Sequence, residues 1–340
     1  MALKQLTAVA ALNEAAGKVI EASVCEAQGT YLALVETEAG KRLAWAAQGE
    51  SALSKLWKDV EKEADVKDVH VAVMALNANN AALVRRLVKW AAPTACGTKG
   101  ASVGFSDWLG AADAVVTDLF AKRQLKPVLV DFTPEDSAAI GRNFLEAVDT
   151  ATWGVLEKGY KEGYGANAAG LKSEEEIVKA LLYGYSMIGF DCSDKIDLSI
   201  EKLSDEAVEK RFEQFNETFR AALHASYLNA EFKVGTSKIT FTENQLHRIV
   251  LEYGEAIMHV QFIYNSYLKN TPWDIDFELD LSKPGKVLTP QEHYLIGNEL
   301  QRNGIKLAAI CLDPLKDAEA LQENLQLHCE IADTFGYRLS

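Results

Sequence analysis

Carboxylates recur where a chain of alternating strands and helices would end its strands. Asp191, Ser193, Asp194 and Lys195 close or follow the apolar run 187–191, and Asp276, Glu278 and Asp280 alternate along 275–281. Asp131 and Thr133 stand at the end of 127–132, Asn167 and Lys172 flank 166–171, and Ser106 and Asp107 follow 101–105. Acids at several strand ends suit proton transfer between a facing acid and base, or a divalent cation. Each also has a plain structural use. Asp107, just before Trp108-Leu109-Gly110, can cap a helix, and Asp191, Ser193 and Asp194 can close an Asx turn. The strand period places Asp276, Glu278 and Asp280 on one face and Ile275, Phe277, Leu279 and Leu281 on the other. That acidic face belongs either to a barrel interior or to a solvated edge.

Histidine is absent from these strand ends. The chain has 6: His70 in a strand, and His224, His247, His259, His293 and His328 in helical segments. No HExxH or HxH spacing occurs, so spacing assigns no metal ligand. His259, in AIMHVQFIYN, and His293, one turn into its helix, are read either as ligand contacts or as satisfied structural histidines. GYKEGYGANAAG is glycine-rich but does not follow a strand in the manner of a phosphate loop. The 5 cysteines, an odd number without a CxxC pair, indicate free thiols in a reducing compartment. With 35 basic and 49 acidic side chains the net charge is −14, and no basic stripe offsets it. Such a surface repels phosphate backbones and anionic lipid, which argues against nucleic acid or membrane as partner. No apolar run is long enough to span a bilayer, and Glu14 interrupts the N-terminal one too early for a secretory signal. A cytoplasmic location is expected.

The 340 residues, 48% hydrophobic and 25% charged, are ample for a sizeable core and suggest two domains. Residues 18–25, 30–36 and 42–46 read as strands, with a hairpin turn at 38–41 that uses Gly40. Leu53, Leu56, Trp57 and Val60 recur at helical spacing and predict a helix over 50–63. A strand at 69–74 and a helix at 81–91, with Arg85 and Arg86 on its wet side, complete an N-terminal α+β unit, 1–91. Beyond it, strands are predicted at 101–105, 127–132, 166–171, 187–191, 275–281, 305–311 and 337–339. Helices are predicted between them at 108–123, 135–162, 173–184, 290–303 and 316–334. An insertion, 193–244, carries a helix at 205–227 and a polar hairpin at 231–241, and a long helix follows at 243–268. Such alternation builds either a doubly wound sheet or an eight-fold barrel over 92–340. Thr289-Pro290-Gln291-Glu292 carries the signature of a reciprocal capping box.

Several blocks stand together in order: SVGFSDWLG (102–110), TATWGVLEKGYKEGYGANAAGLK (150–172), FDCSDKI (190–196), WDIDFELDL (273–281), LTPQEHYLIGNELQRNGIKL (288–307) and HCEIADTFGYRLS (328–340). From about residue 95 onward they resemble the tagaturonate epimerase family, whereas the first ninety residues match only loosely. The resemblance implies a TIM-barrel-like fold, here with seven of eight strands, and metal-assisted epimerisation of a keto sugar acid, tagaturonate to fructuronate. It implies Glu278 as proton donor, working with Asp191 or Asp194. Asp107, Trp153, Asn167, Lys172, Ser193 and His259 are the expected substrate contacts. A divalent metal is expected from the family, yet Ala169 and Gly170 stand where the family carries a carboxylate and a histidine. Trp108 replaces an arginine, and 280–284 replaces an acidic loop. The family's last strand continues into a His-Ser-Gly-Ser-Asp-Lys motif, while this sequence ends at Ser340. Three readings follow: an epimerase with a rearranged site, a truncated or degenerate relative that binds a sugar acid, or nothing, without turnover, or a structural or interaction subunit. A missing eighth strand would leave a sheet edge open to a second copy, so homo-oligomers are expected.

Overall fold

A computed structural model describes the chain apart from residues 1–2, 50, 106–116, 118, 121–124, 282–287 and 313–317. The first elements are helix α1 (Gln5–Ala15) and strands β1 (Lys18–Val19), β2 (Cys25–Ala27), β3 (Thr30–Thr37) and β4 (Gly40–Gln48). Then come β5 (Val60–Val66), β6 (Val69–Met74) and helix α2 (Ala78–Leu87). The strands form an antiparallel sheet in the order β1-β3-β4-β6-β5, with β2 also paired to β3. Both faces of β3 and β4 are covered, which is why they read as nearly unbroken apolar runs. On one face Ala33, Val35, Ala44 and Ala46 pack against Ala8, Ala11 and Leu12 of α1. Small side chains on both partners let the helix approach the sheet closely. On the other face Leu32, Leu34, Leu43 and Trp45 pack with Trp57 and Val84. The hairpin turn falls where expected, with Gly40 at φ +96° opposite Thr37.

The predicted helix over 50–63 is not formed. Residues 52–56 are turns, Asp59 takes a left-handed φ of +50°, and the chain then enters β5. Pairing with β6 overrides the local helical period. Of the four spaced residues only Leu53 and Trp57 are buried, while Leu56 and Val60 remain exposed. The edge strand β5 is rich in charge (Glu61, Lys62, Glu63, Asp65), which discourages pairing with a further chain.

The second sheet has strands β7 (Ala101–Gly104), β8 (Leu125–Phe132), β9 (Gly165–Leu171) and β10 (Met187–Asp191). After a small hairpin, β11 (Phe232–Val234) and β12 (Ser237–Ile239), it continues with β13 (Asp276–Asp280), β14 (Ala309–Cys311) and β15 (Arg338–Leu339). Its order is β7-β8-β9-β10-β13-β14-β15. Neighbours in space are thus neighbours in sequence, as in a TIM barrel. The seven strands are those the sequence predicts, and β7 and β15 are the two ends of this part-barrel.

Helices follow most strands. The stretch predicted as one helix at 135–162 is two, α3 (Pro134–Ile140) and α4 (Phe144–Lys158), because Gly141 turns left-handed at φ +67° and Asn143 starts a new capping box with Glu146. Helix α5 is Glu174–Tyr183. The stretch predicted as one helix at 205–227 also divides, into α6 (Asp205–Phe212) and α7 (Glu217–Tyr227), with Asn216 capping the second. Helix α8 (Glu243–Ile263) runs into a π turn over Tyr264–Leu268. Helix α9 (Pro290–Arg302) starts on the expected Thr289/Glu292 box, and α10 is Ala318–Phe335. The helix predicted at 108–123 lies largely outside the described residues.

Contacts group the chain into two compact units. The first comprises Met1–Cys96, Gly100–Ala168 and Lys179–Ser186; the second comprises Gly97–Lys99, Ala169–Val178 and Met187–Ser340. Helix α4 belongs with the antiparallel sheet because Leu156 and Trp153 join that core. Gly159, left-handed at φ +59°, lets the end of α4 pass the turn at Ala22, whose carbonyl oxygen would lie 2.3 Å from an added Cβ.

Candidate functional site

In the second unit, polar groups gather at the C-terminal ends of β10 and β13. Register pairs Gly189 with Glu278 and Asp191 with Asp280. Parallel partners share a face, so both β13 carboxylates and Asp191 stand on one side of the sheet. Phe190, Phe277 and Leu279 occupy the other side, where Tyr264 packs on Phe277. Glu278 is half-buried between strand neighbours Gly189 and Ala309, neither of which places more than a methyl beside it.

Asp191 is held by two partners. Its Oδ1 accepts the backbone N–H of Ser193 at 2.8 Å, and its Oδ2 lies 3.3 Å from Lys172 Nζ. Lys172 is itself fixed at its backbone, where its N–H donates to Glu176 Oε2 at 2.9 Å. The Asx turn at Asp191 therefore forms, and it orders the carboxylate at the same time. Asp194 is exposed in the following 3-10 turn, Ser193–Lys195. Behind them, burial and the carboxylates of Asp191 and Asp280 push the Cys192 thiol far up, so it stays protonated and inert.

Asp276 has a different task from its two neighbours in the alternation. It is 5% exposed, and its two oxygens lie 3.1 and 2.9 Å from the Gly97 nitrogen. The acidic face is thus graded along the strand, with an anchor at its start and half-buried carboxylates toward its end.

The first unit carries its own polar strand end. Asn167 Nδ2 donates to Asp131 Oδ1 at 3.2 Å, across a registered pair of β9 and β8. Burial pushes the Asp131 carboxyl up, against the pull of the Asn167 hydrogen bond. Gly104 leaves room for it, since a Cβ there would lie 2.4 Å from Asp131 Oδ2.

Other expected contacts are placed elsewhere. Trp153 packs into the core of the antiparallel sheet. His259 sits on α8 against Phe190, with ring centroids 5.4 Å apart, on the face opposite Asp191 and Glu278. A histidine on a helix facing a strand's apolar side adds to the packing layer there, apart from the carboxylates of β10 and β13. Asp107 lies outside the described residues, as do Ser106 and Trp108. Gly170 has φ +64°, a conformation that a side chain at this position would hold at a cost of roughly 1–2 kcal/mol.

His293 is a structural histidine. It is fully buried, with Nδ1 2.9 Å from His328 Nδ1 and Nε2 2.9 Å from the Tyr337 hydroxyl. Burial, and then the neighbouring His328, lower its pKa to about 3. The folded-state value lies below that of the unfolded chain, so stability is complete above about pH 6.5 and is lost as pH falls toward 3. In denaturant titrations, this one group is expected to contribute a slope of about 1.4 kcal/mol per pH unit in that window. The slope should fall by that amount in His293→Asn; an unchanged pH dependence would show that His293 is not buried neutral.

Among the described residues, one group of three His, Cys, Asp or Glu side chains could hold a metal ion: His224, Glu243 and His247. Sequence spacing pointed to no ligand set, because His224 lies on a separate helix from the other two. The group stands on α7 and α8 rather than at strand ends. Also among the described residues, no helix is long and apolar enough to cross a membrane.

Residues 20–340 match the family model for tagaturonate epimerase. A tagaturonate/fructuronate epimerase of Thermotoga maritima is 29% identical over 334 residues, which cover 95% of this chain and 68% of that protein. The native crystal structure of a fructuronate-tagaturonate epimerase from Cohnella laeviribosi aligns with a TM-score of 0.84 at 28% identity, over 96% of this chain and 67% of that one. A form of the same enzyme complexed with one glycerol gives 0.83 at 28% identity, over 95% and 66%. The chain spans about two thirds of the length of the relatives it matches.

Proposed function

The chain belongs to the tagaturonate epimerase family, and on that premise we propose that it interconverts tagaturonate and fructuronate by acid–base inversion of a carbinol centre. The observation that carries this reading is the match of residues 20–340 to that family. Inversion takes a poorly acidic hydrogen from one face of the sugar acid and returns it to the other, so two groups of opposite role are needed. Glu278 serves as the acid. Asp191 serves as the base in preference to Asp194, because Lys172 and the Ser193 amide already order its carboxylate. The Lys172 ammonium and the Ser193 hydroxyl offer a cation and a donor to a sugar carboxylate and its hydroxyls. A cytoplasmic location is proposed with this activity.

The family resemblance would bring a divalent ion to the strand ends. The described strand ends do not fit one: their His, Cys, Asp and Glu side chains form no group of three close enough to share an ion. Ala169 and Gly170 offer no side-chain donor atom. The proton transfers are assigned in this proposal to the carboxylates. The alternative reading is binding of the sugar acid without turnover.

Incubating the purified chain with tagaturonate and following it by proton NMR separates the two. Fructuronate signals growing in proportion to protein concentration are the expected result. Calorimetric binding with no turnover would replace the first reading by the second, and neither binding nor turnover would overturn both.

A further inference from the structure

The insertion and the long helix after it hold a second cluster of chemistry-bearing side chains. Glu243 and His247 lie one turn apart on α8, where four-residue spacing brings two side chains to one helix face. His224 reaches them from α7, and one ligand-type atom from each of the three lies within 4.8 Å of the others. His224 Nε2 and His247 Nε2 face each other at 2.8 Å. His247 is fully buried, and its Nδ1 is 2.8 Å from Glu209 Oε2 on α6. A carboxylate acceptor keeps the proton on Nδ1, so Nε2 presents its lone pair toward His224. Phe212 stacks against both rings, with centroids 3.6 Å from His247 and 5.6 Å from His224. Half-buried His224 and exposed Glu243 leave the cluster within reach of solvent.

We propose that His224 Nε2, His247 Nε2 and a Glu243 carboxylate oxygen bind a divalent transition ion of the zinc class, with water completing a tetrahedral set. Imidazole nitrogens select zinc, cobalt or nickel over the oxygen-seeking magnesium and calcium. Glu209 takes the position of the carboxylate that orients a metal-bound histidine through its other ring nitrogen. The two glutamates together balance the charge of the ion. Bonds of about 2.0–2.1 Å to both nitrogens would spread them to roughly 3.3 Å, a movement the half-buried His224 side chain can supply. The proton that His224 Nε2 shares with His247 moves to His224 Nδ1, so a neutral pair changes tautomer without releasing it. The bound ion staples α7 to α8 through one shared centre.

The test is titration of the chelator-treated full chain with Co2+. Expected are one ion per chain, the visible bands of tetrahedral cobalt, and no thiolate charge-transfer band that would point to the cysteines. His224→Ala should abolish those bands, and Glu209→Gln should weaken binding by about 10- to 100-fold. Glu243→Gln changes an exposed side chain, keeps the fold and must also weaken binding. Wild-type protein that gives no tetrahedral spectrum overturns the proposal, as does binding that survives both His224→Ala and Glu243→Gln unchanged.

Discussion

Glu278→Gln is expected to lower turnover of tagaturonate by about 10²- to 10⁴-fold, the range for removing a general acid or base. In barrier terms this is about 3–5 kcal/mol. The substitution is nearly isosteric, and only Gly189 and Ala309 flank the residue on the two neighbouring strands. KM should therefore change little while kcat collapses, the pattern of a group that acts only in the transition state. Steady-state kinetics on the variant, with circular dichroism to confirm the fold, makes the measurement. A kcat within about threefold of wild type would remove Glu278 from the chemistry. Asp191→Asn and Asp194→Asn, measured alongside, show which of the two carboxylates is its partner.

The second large effect lies in the first unit, at a buried ion pair. Arg85 of α2 donates to Asp149 of α4 at 2.7 Å and to the Thr152 hydroxyl at 3.0 Å. Both charged residues are under a tenth exposed. Burial raises the Asp149 carboxyl, and the Arg85 contact pulls the other way without cancelling it. Removing one partner strands the other charge in a dry site. Asp149→Ala should therefore cost about 3–5 kcal/mol in urea unfolding, a large share of the stability of an ordinary domain. The double replacement Arg85→Met with Asp149→Val should recover most of that loss, because it removes both charges with little change in total volume. A loss below about 1 kcal/mol in the single variant would place the pair among ordinary surface contacts.

This pair also shows where the sequence stops being informative. Arg85 and Arg86 are adjacent, and the helical period alone assigns both to solvent; in the structure Arg86 is exposed and Arg85 is covered by α4. The helix that covers Arg85 begins some sixty residues later, and no local pattern encodes its approach. The seven parallel strands were legible because each is a short apolar run bounded by turns, and fold and chain order coincide in such a sheet. The helix expected at 50–63 failed for the opposite reason, since β5 is specified by its partner β6 rather than by its own period. At the site, alternation on β13 correctly grouped three carboxylates but could not separate the anchor Asp276 from Glu278 and Asp280. Of the metal-ligand cluster, nothing was legible in the sequence, since Glu243 and His247 match no HExxH or HxH spacing. His224 and Glu209 each come from another helix, so only the folded chain reveals a ligand set.

The grip of Asp276 on Gly97 joins residues 179 positions apart. Such a contact contributes nothing until β13 has been synthesised and placed, and closing a loop that long carries an entropic cost that grows only slowly with its length. A growing chain that emerges N-terminus first must therefore leave the Gly97 amide to water until the 179 positions to Asp276 have followed it. The lowest rung of the acidic strand thus works as a late clasp, engaged only once the strand that bears Glu278 is in register.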